Sequence, residues 1–318
     1  MTRLYRWLLI PAACSLGAAA ACQTTYAAEP GGPAAESPLG LALKAVGQEY
    51  RFDTGELRGT LRLEGKSLGL RPVLAGAPGT PIAGMMGLFS PYRMLAADAR
   101  FGTAAWDWAS RAKSLPDGAV EVQWTADQEH PFDLAAVYRF SGPGTLDLNV
   151  TVEPRHDLRR FELFLASYFQ GFPACFAYVG QGPAAGGQPA FMAAVKPAGD
   201  WQMFPRDAEA VQMARDGRWK RPPNPVQWQI MPRLAAPLAL RRDAPSGLTA
   251  VLMAPADDCF AVSMPYGEEG HRSVYLSLFG RDLKAGQRAS TRARLVIGHA
   301  ISDSAAVRLY EQWAGRPQ

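Results

Sequence analysis

Apolar and polar residues alternate in short blocks along most of this chain, with turn-forming residues between the blocks. Residues 57–63, Leu-Arg-Gly-Thr-Leu-Arg-Leu, alternate strictly, as a strand with one buried face should. Residues 120–124, Val-Glu-Val-Gln-Trp, repeat the pattern. Two longer alternating blocks, 134–140 and 146–152, flank Ser141-Gly142-Pro143-Gly144 and predict a hairpin. Further strands are expected at 161–168, 248–253, 259–264, 273–279 and 289–297. Trp106 and Trp108 also alternate on a strand-like stretch. Helical periodicity is scarce. A short helix is expected at 207–215, and Ser302 or Asp303 can cap a terminal amphipathic helix over 305–313, with Val307, Tyr310 and Trp313 on one side. Many short strands at close spacing predict an all-β sandwich or barrel with a short C-terminal helix packed on it.

Composition narrows the function classes. Of 318 residues, 48% are apolar and 19% charged, a globular balance able to fill a sizeable core. Lys and Arg number 33 against 29 Asp and Glu. Two of the positives, Arg3 and Arg6, precede an apolar, small-residue stretch from Trp7 to Ala21 and small residues at Ala27 and Ala28. That is the order of a signal peptide, expected over residues 1–28, and it predicts an exported protein of the periplasm or cell envelope. Lipid attachment at Cys22 is the second possibility. No other stretch approaches the roughly 20 apolar residues of a membrane helix. With so small a positive surplus and no basic run, nucleic acid is not an expected partner. Residues 29–40, rich in Gly, Pro and Ala, read as a flexible linker. The sandwich is expected over 41–300 and the terminal helix and tail over 301–318. Cys175 and Cys259 remain beyond the leader, and the sequence leaves a disulfide and two buried thiols equally open.

Two stretches carry a resemblance. His130-Pro131-Phe132-Asp133-Leu134, then Tyr138-Arg139-Phe140, Thr145-Leu146-Asp147-Leu148 and Ser167-Tyr168-Phe169 stand in one order, and Gly87-Leu88-Phe89-Ser90-Pro91-Tyr92-Arg93 precedes them. Together with Leu283-Lys284-Ala285-Gly286-Gln287 and the strand after it, this series resembles the galactose-mutarotase (aldose 1-epimerase) superfamily over residues 89–297. The resemblance implies a large antiparallel β-sandwich, a galactose-mutarotase-like supersandwich, and implies that Arg93 is a sugar-binding arginine. It also implies a departure. Ala166 stands where these epimerases carry the histidine that protonates the ring oxygen, and alanine cannot move a proton. General acid–base groups contribute about 10²–10⁴-fold each, so mutarotation by the family route is not expected.

Other residues still offer chemistry. Tyr266-Gly267-Glu268-Glu269-Gly270-His271-Arg272 is the densest polar cluster and lies between two predicted strands, where sites are often placed. Glu269 and His271 could form an acid–base pair, or the whole turn could be solvated. Arg93 offers a planar fork of donors to sugar hydroxyls or to a uronate carboxylate. His130, at a strand entrance, reads as structural. Residues 200–225 are irregular and rich in Trp, Arg and Pro, and Trp201, Phe204, Arg206, Trp219 and Trp228 gather around them. Indole faces stack on the apolar faces of sugar rings, or the same residues could plug one end of the sandwich. The chain has no Cys/His metal spacing, His-Glu-x-x-His, Gly-x-Ser-x-Gly or phosphate-cradling loop, so no metal or cofactor is expected.

Three functions follow. The first is a carbohydrate-binding sandwich with a cleft of Tyr92, Arg93, Trp201, Arg206, Trp219, Tyr266 and Glu268, either non-catalytic or altered. The second is an epimerase or lyase-like enzyme with Glu269 and His271 as its proton-transfer pair. The third is a cell-envelope structural or assembly partner whose aromatic segment binds protein.

Overall fold

The computed structural model describes residues 40–62, 67–182 and 187–315. The expected leader, Cys22, the linker up to residue 39, part of the Gly/Ala loop near 182–187 and the last three residues lie outside them.

Two large sheets form the body. In spatial order, the seven-stranded sheet runs Gln229–Ile230, Trp201–Pro205, Cys259–Pro265, Ser273–Leu283, Leu158–Tyr168, Ser90–Leu95, Arg100–Phe101. The nine-stranded sheet runs Ala190–Ala193, Ala174–Val179, Leu234–Asp243, Leu248–Met253, Ala289–His299, Thr145–Pro154, Phe132–Gly142, Val120–Trp124, Arg111–Ser114. Pairing is antiparallel throughout both, except for the short parallel pair of Gln229–Ile230 with Trp201–Pro205. A smaller five-stranded sheet spans Lys44–Val46 to Thr80–Pro81. The expected hairpin is present: Phe132–Gly142 turns through Pro143-Gly144 into Thr145–Pro154, with Gly142 opposite Thr145.

Alternation explains how the sheets stack. Val120, Val122 and Trp124 of one sheet share a continuous core with Leu163, Leu165, Leu276 and Leu278 of the other. Each such side chain removed from water contributes about 1.5–3 kcal/mol. The Leu158–Tyr168 strand departs from simple alternation. From Phe161 onward it is apolar apart from Glu162 and Ser167, and every residue from Phe161 to Tyr168 is buried. A strand with no polar face must be covered on both sides. Its Leu163 and Leu165 face the inter-sheet core, whereas Phe164, Ala166 and Tyr168 belong to a second cluster with Trp219, Phe260 and Tyr275. That second cluster, on the outer face of the seven-stranded sheet, is where the site lies.

Both expected helices form. α1 (Ala208–Arg215) begins at Asp207, whose carboxylate accepts from Ala210 N–H. α2 (Asp303–Ala314) is capped by Ser302, whose hydroxyl accepts from Ala305 N–H. Ala306 and Trp313 of α2 pack on Leu238, Leu240, Val251 and Met253, with Val307 and Tyr310 beside them. One local expectation is corrected. Trp106 sits in a 3-10 turn, Ala105–Asp107, with Trp108 just after it, so the pair does not lie on a strand. The turn sends the two rings apart, Trp106 onto Tyr92 in the outer-face cluster and Trp108 onto His130 and Phe132 beside the main core. Cys175 and Cys259 are both free and buried.

Candidate functional site

The outer face of the seven-stranded sheet holds a cavity of about 360 Å³, lined by Tyr92, Arg93, Phe164, Tyr168, Trp201, Trp219, Asn224, Pro225, Val226, Trp228, His271 and Tyr275. Tyr92 and Arg93 are neighbours in one strand, and neighbours normally point to opposite faces. The register explains why both line one cavity. Phe164 pairs with Arg93 but Leu165 pairs with Pro91, so the Ser90–Leu95 strand carries an extra residue at Tyr92. Such a bulge re-aims side chains. Gly87 sets up the approach to this strand. Its φ is +76°, and a Cβ there would lie 2.0 Å from the Leu68 carbonyl oxygen. Its own carbonyl accepts from Tyr168 N–H at 2.9 Å.

Arg93 is only 5% exposed. Its Nη2 donates to the Tyr92 hydroxyl at 3.0 Å, and its guanidinium lies 4.8 Å from the Tyr92 ring centre and 5.4 Å from that of Trp219. Nε and Nη1 are buried with no partner among the described residues. Tyr92 stacks in turn on Trp106, with ring centres 4.2 Å apart and planes at 10°.

A hydroxyl chain lies on the sheet side. Ser273 Oγ donates to Tyr275 Oη at 2.8 Å, and Tyr275 Oη donates to Tyr168 Oη at 3.2 Å. Burial pushes the Tyr275 phenol up to about 12, and burial with the neighbouring Tyr275 pushes Tyr168 higher still. Both phenols therefore stay protonated at neutral pH; Tyr275 gives its proton to Tyr168, whose own hydroxyl is left free to donate. Tyr275 lies opposite Ala166 in the ladder, and its ring stacks on Phe164 at 4.4 Å and meets Tyr168 edge-on at 5.8 Å. The tyrosine thus covers the alanine.

The remaining walls are loops tied down by charge. Trp219 rides on the 3-10 turn Arg218–Lys220. Arg218 beside it is fully buried and reaches Glu162 at 3.2 Å and Asp216 at 2.8 Å. Arg100 donates to the carbonyls of Arg221, at 3.0 Å, and Pro223, and Val226 N–H donates to Trp219 O at 2.9 Å. These bonds hold residues 221–226 against the cavity. Burial first, and then the positive charge of Arg93, lowers Arg100 to about 10. His271 sits at the rim, its ring 5.3 Å from that of Trp201 and 6.5 Å from that of Tyr168. Glu269 Oε2 accepts from its backbone N–H at 2.7 Å, and Oε1 lies 2.8 Å from its Nδ1.

Of the residues singled out in the sequence, Tyr92, Arg93, Trp201, Trp219, Trp228 and His271 meet in this cavity, and Glu269 joins them through His271. Three do not. Tyr266 and Glu268 line a separate cavity of about 450 Å³ with Cys175, Val195 and Lys196. Arg206 is occupied elsewhere: it donates to Asp207 at 2.7 Å and to the carbonyls of Ala256 and Asp257 at 3.2 and 3.1 Å, fastening the start of α1. Phe204 is buried in the main core. His130, expected to be structural, pairs with Asp127 at 2.9 Å and packs on Trp108 at 3.7 Å, away from this site. Phe164, Tyr275 and Asn224 were not anticipated. Phe164 and Tyr168 lie two residues either side of Ala166 and so share its face, a signal available in the sequence. Among the described residues no three His, Cys, Asp or Glu side chains gather as a metal site would need, and no helix is long and apolar enough to cross a membrane.

No family model matches this chain, and no curated protein matches it in sequence. Solved structures do match in shape. The α-N-acetylgalactosaminidase NagBb from Bifidobacterium bifidum, in complex with GalNAc, superposes with a TM-score of 0.51 at 10% identity, over 83% of this chain and 38% of its own. A galactose mutarotase-like protein from Lactobacillus casei gives 0.49 at 11% identity, over 79% of this chain and all of its own. An aldose-epimerase homologue from C. elegans gives 0.45 at 8% identity, over 78% and 97%. At such identities the likeness speaks to architecture alone, that of a large antiparallel β-sandwich.

Proposed function

We propose that this chain is an exported carbohydrate-binding β-sandwich protein whose ligand occupies the cavity of Tyr92, Arg93, Trp201 and Trp219. One observation carries the reading: a buried arginine with unpartnered N–H groups lines a cavity walled by tyrosine and tryptophan. Aromatic walls suit the C–H faces of a sugar ring. Protonated phenols, Asn224 and the guanidinium suit its oxygens. The Bifidobacterium chain of like fold was solved with GalNAc, which supports the ligand class. Export rests on the charged, then apolar, then small-residue order of residues 1–28.

A glycan array probed with the protein and with Arg93→Ala tests this. Binding of one glycan class that is lost in the variant is expected. Binding unchanged in Arg93→Ala would reject the cavity as the site. Silence from folded protein across the array would reject carbohydrate and favour the envelope-partner reading. A second reading, an epimerase or lyase-like enzyme, draws on the Glu269–His271 contact at the cavity rim. It requires turnover of a bound glycan that disappears in Glu269→Gln and His271→Asn.

A further inference from the structure

The charges around the cavity do not balance. Its twelve lining residues include Arg93 and His271 but no aspartate or glutamate. Glu269 contacts the His271 imidazole and its backbone rather than Arg93. Arg93 forms no ion pair among the described residues; its one polar partner is the Tyr92 hydroxyl. The two other buried arginines among the described residues have more partners, although Arg241 too has no carboxylate. Arg218 has two carboxylates and a backbone carbonyl. Arg241 donates to the carbonyls of Phe172 and Ser273 at 2.6 and 3.4 Å. An ion withdrawn from water without a counter-charge is strongly disfavoured, and the flanking Tyr92 and Trp219 faces offset only part of that.

Resting on the carbohydrate reading above, we propose that the ligand is an acidic sugar, and that a uronate carboxylate supplies the missing counter-charge to Arg93. A planar monoanion matches one guanidinium in shape and in charge. A phosphate monoester carries close to two negative charges at neutral pH, and the cavity has no lysine and no second arginine to meet the other one. Neutral sugars would satisfy donors but leave the charge buried and unmatched. The Tyr168 hydroxyl and the Asn224 amide then read the ring hydroxyls around the acid.

The test is a calorimetric titration of the protein with uronate oligosaccharides, their carboxyl-reduced neutral counterparts of identical linkage, and hexose phosphates. At least one uronate glycan is expected to bind roughly ten- to a hundredfold more tightly than its reduced counterpart, the value of one charge-assisted contact. Arg93→Gln, checked for folding by thermal unfolding, should abolish that preference, while Arg93→Lys should keep part of it. Equal affinity for acidic and reduced glycans would overturn the uronate assignment and leave the carbohydrate reading standing. Preference for the phosphates would also overturn it. No binding by any sugar would remove both together. Because the acid-to-neutral ratio is read on the unaltered protein, the answer does not depend on a variant folding.

Discussion

Arg218→Met removes the cation that holds the Trp219 turn in place, and its cost follows from what the cation leaves behind. Arg218 is fully buried; it donates to Asp216, to the Arg160 carbonyl at 2.9 Å and to Glu162 at 3.2 Å. Asp216 is partly exposed and regains water when the arginine goes. Glu162 is fully buried and does not. Stranding one member of a buried pair costs about 3–5 kcal/mol, whereas replacing both by apolar residues of similar volume is close to neutral. The single variant should therefore lose about 3–5 kcal/mol at pH 7, and Arg218→Met/Glu162→Met should recover most of it. The pH dependence supplies a second check. Burial already raises the Glu162 carboxyl above the 4.5 of a free glutamate, with Arg218 opposing that rise. Without Arg218 it rises further. A carboxylate raised in the folded state penalises folding above its folded pKa, and the penalty is relieved as pH falls toward the unfolded value. The gap between variant and parent should thus narrow between pH 7 and pH 4.5. Urea unfolding followed by tryptophan fluorescence measures both. A single-variant loss under about 1 kcal/mol, or a gap that stays constant with pH, would refute the claim that Glu162 depends on Arg218.

Three further outcomes are expected. Gly87→Ala forces a β-carbon against the Leu68 carbonyl at φ +76° and should cost about 1–3 kcal/mol or more, read as a shift in urea midpoint with weakened ligand binding. Cys175 and Cys259 are buried, with burial raising the first thiol and pushing the second up to about 12; an aromatic disulfide reagent should leave both unmodified in native protein at pH 8 and label both in denaturant. Ser302→Ala deletes the cap on α2 and should cost about 1 kcal/mol, which a thermal scan should show as a lower Tm with the cavity's ligand affinity unchanged.

The parts of the fold that were legible in the sequence are those where one local rule decides. Ser141-Gly142-Pro143-Gly144 between two alternating blocks admits little besides a hairpin, and Asp207 and Ser302 cap the helices they precede. The Leu234–Asp243 strand was missed because Pro237 interrupts it, and Pro argues against a central strand. Here it stands just before the pairing with Leu248–Met253 begins at Leu238. The small sheet before residue 82 was mostly missed as well, because its strands run only two to six residues. Within the site, Arg93 and Trp219 could be named from residue type and neighbours. Their meeting with His271, 52 residues beyond Trp219, depends on tertiary contacts that no periodicity encodes. The Tyr92 bulge is likewise a property of register, and register is set by the partner strand. Adjacent turn residues part company for the same reason: Glu268 faces one cavity while Glu269 contacts the imidazole of another.

Ala166 bears on what the cavity can do more than on how the chain folds. Ala166 keeps its place on the covered face of an inner strand, and the Tyr275 ring closes over it between Phe164 and Tyr168. The group presented over this position is therefore a phenol held protonated by burial, which cannot serve as a base at neutral pH. The cavity's inventory becomes a guanidinium, three tyrosine hydroxyls, three indoles, an amide and one rim imidazole contacted by Glu269. Donors outnumber groups able to accept a proton, and the one fixed charge is positive. Such a set fits the oxygen-rich anion proposed above. This asymmetry is what joins the binding proposal to the acidic-sugar inference. The alanine offers no proton-transfer group, and Arg93, without an ionic partner among the described residues, gives the proposed site a preference that a neutral aldose would not satisfy.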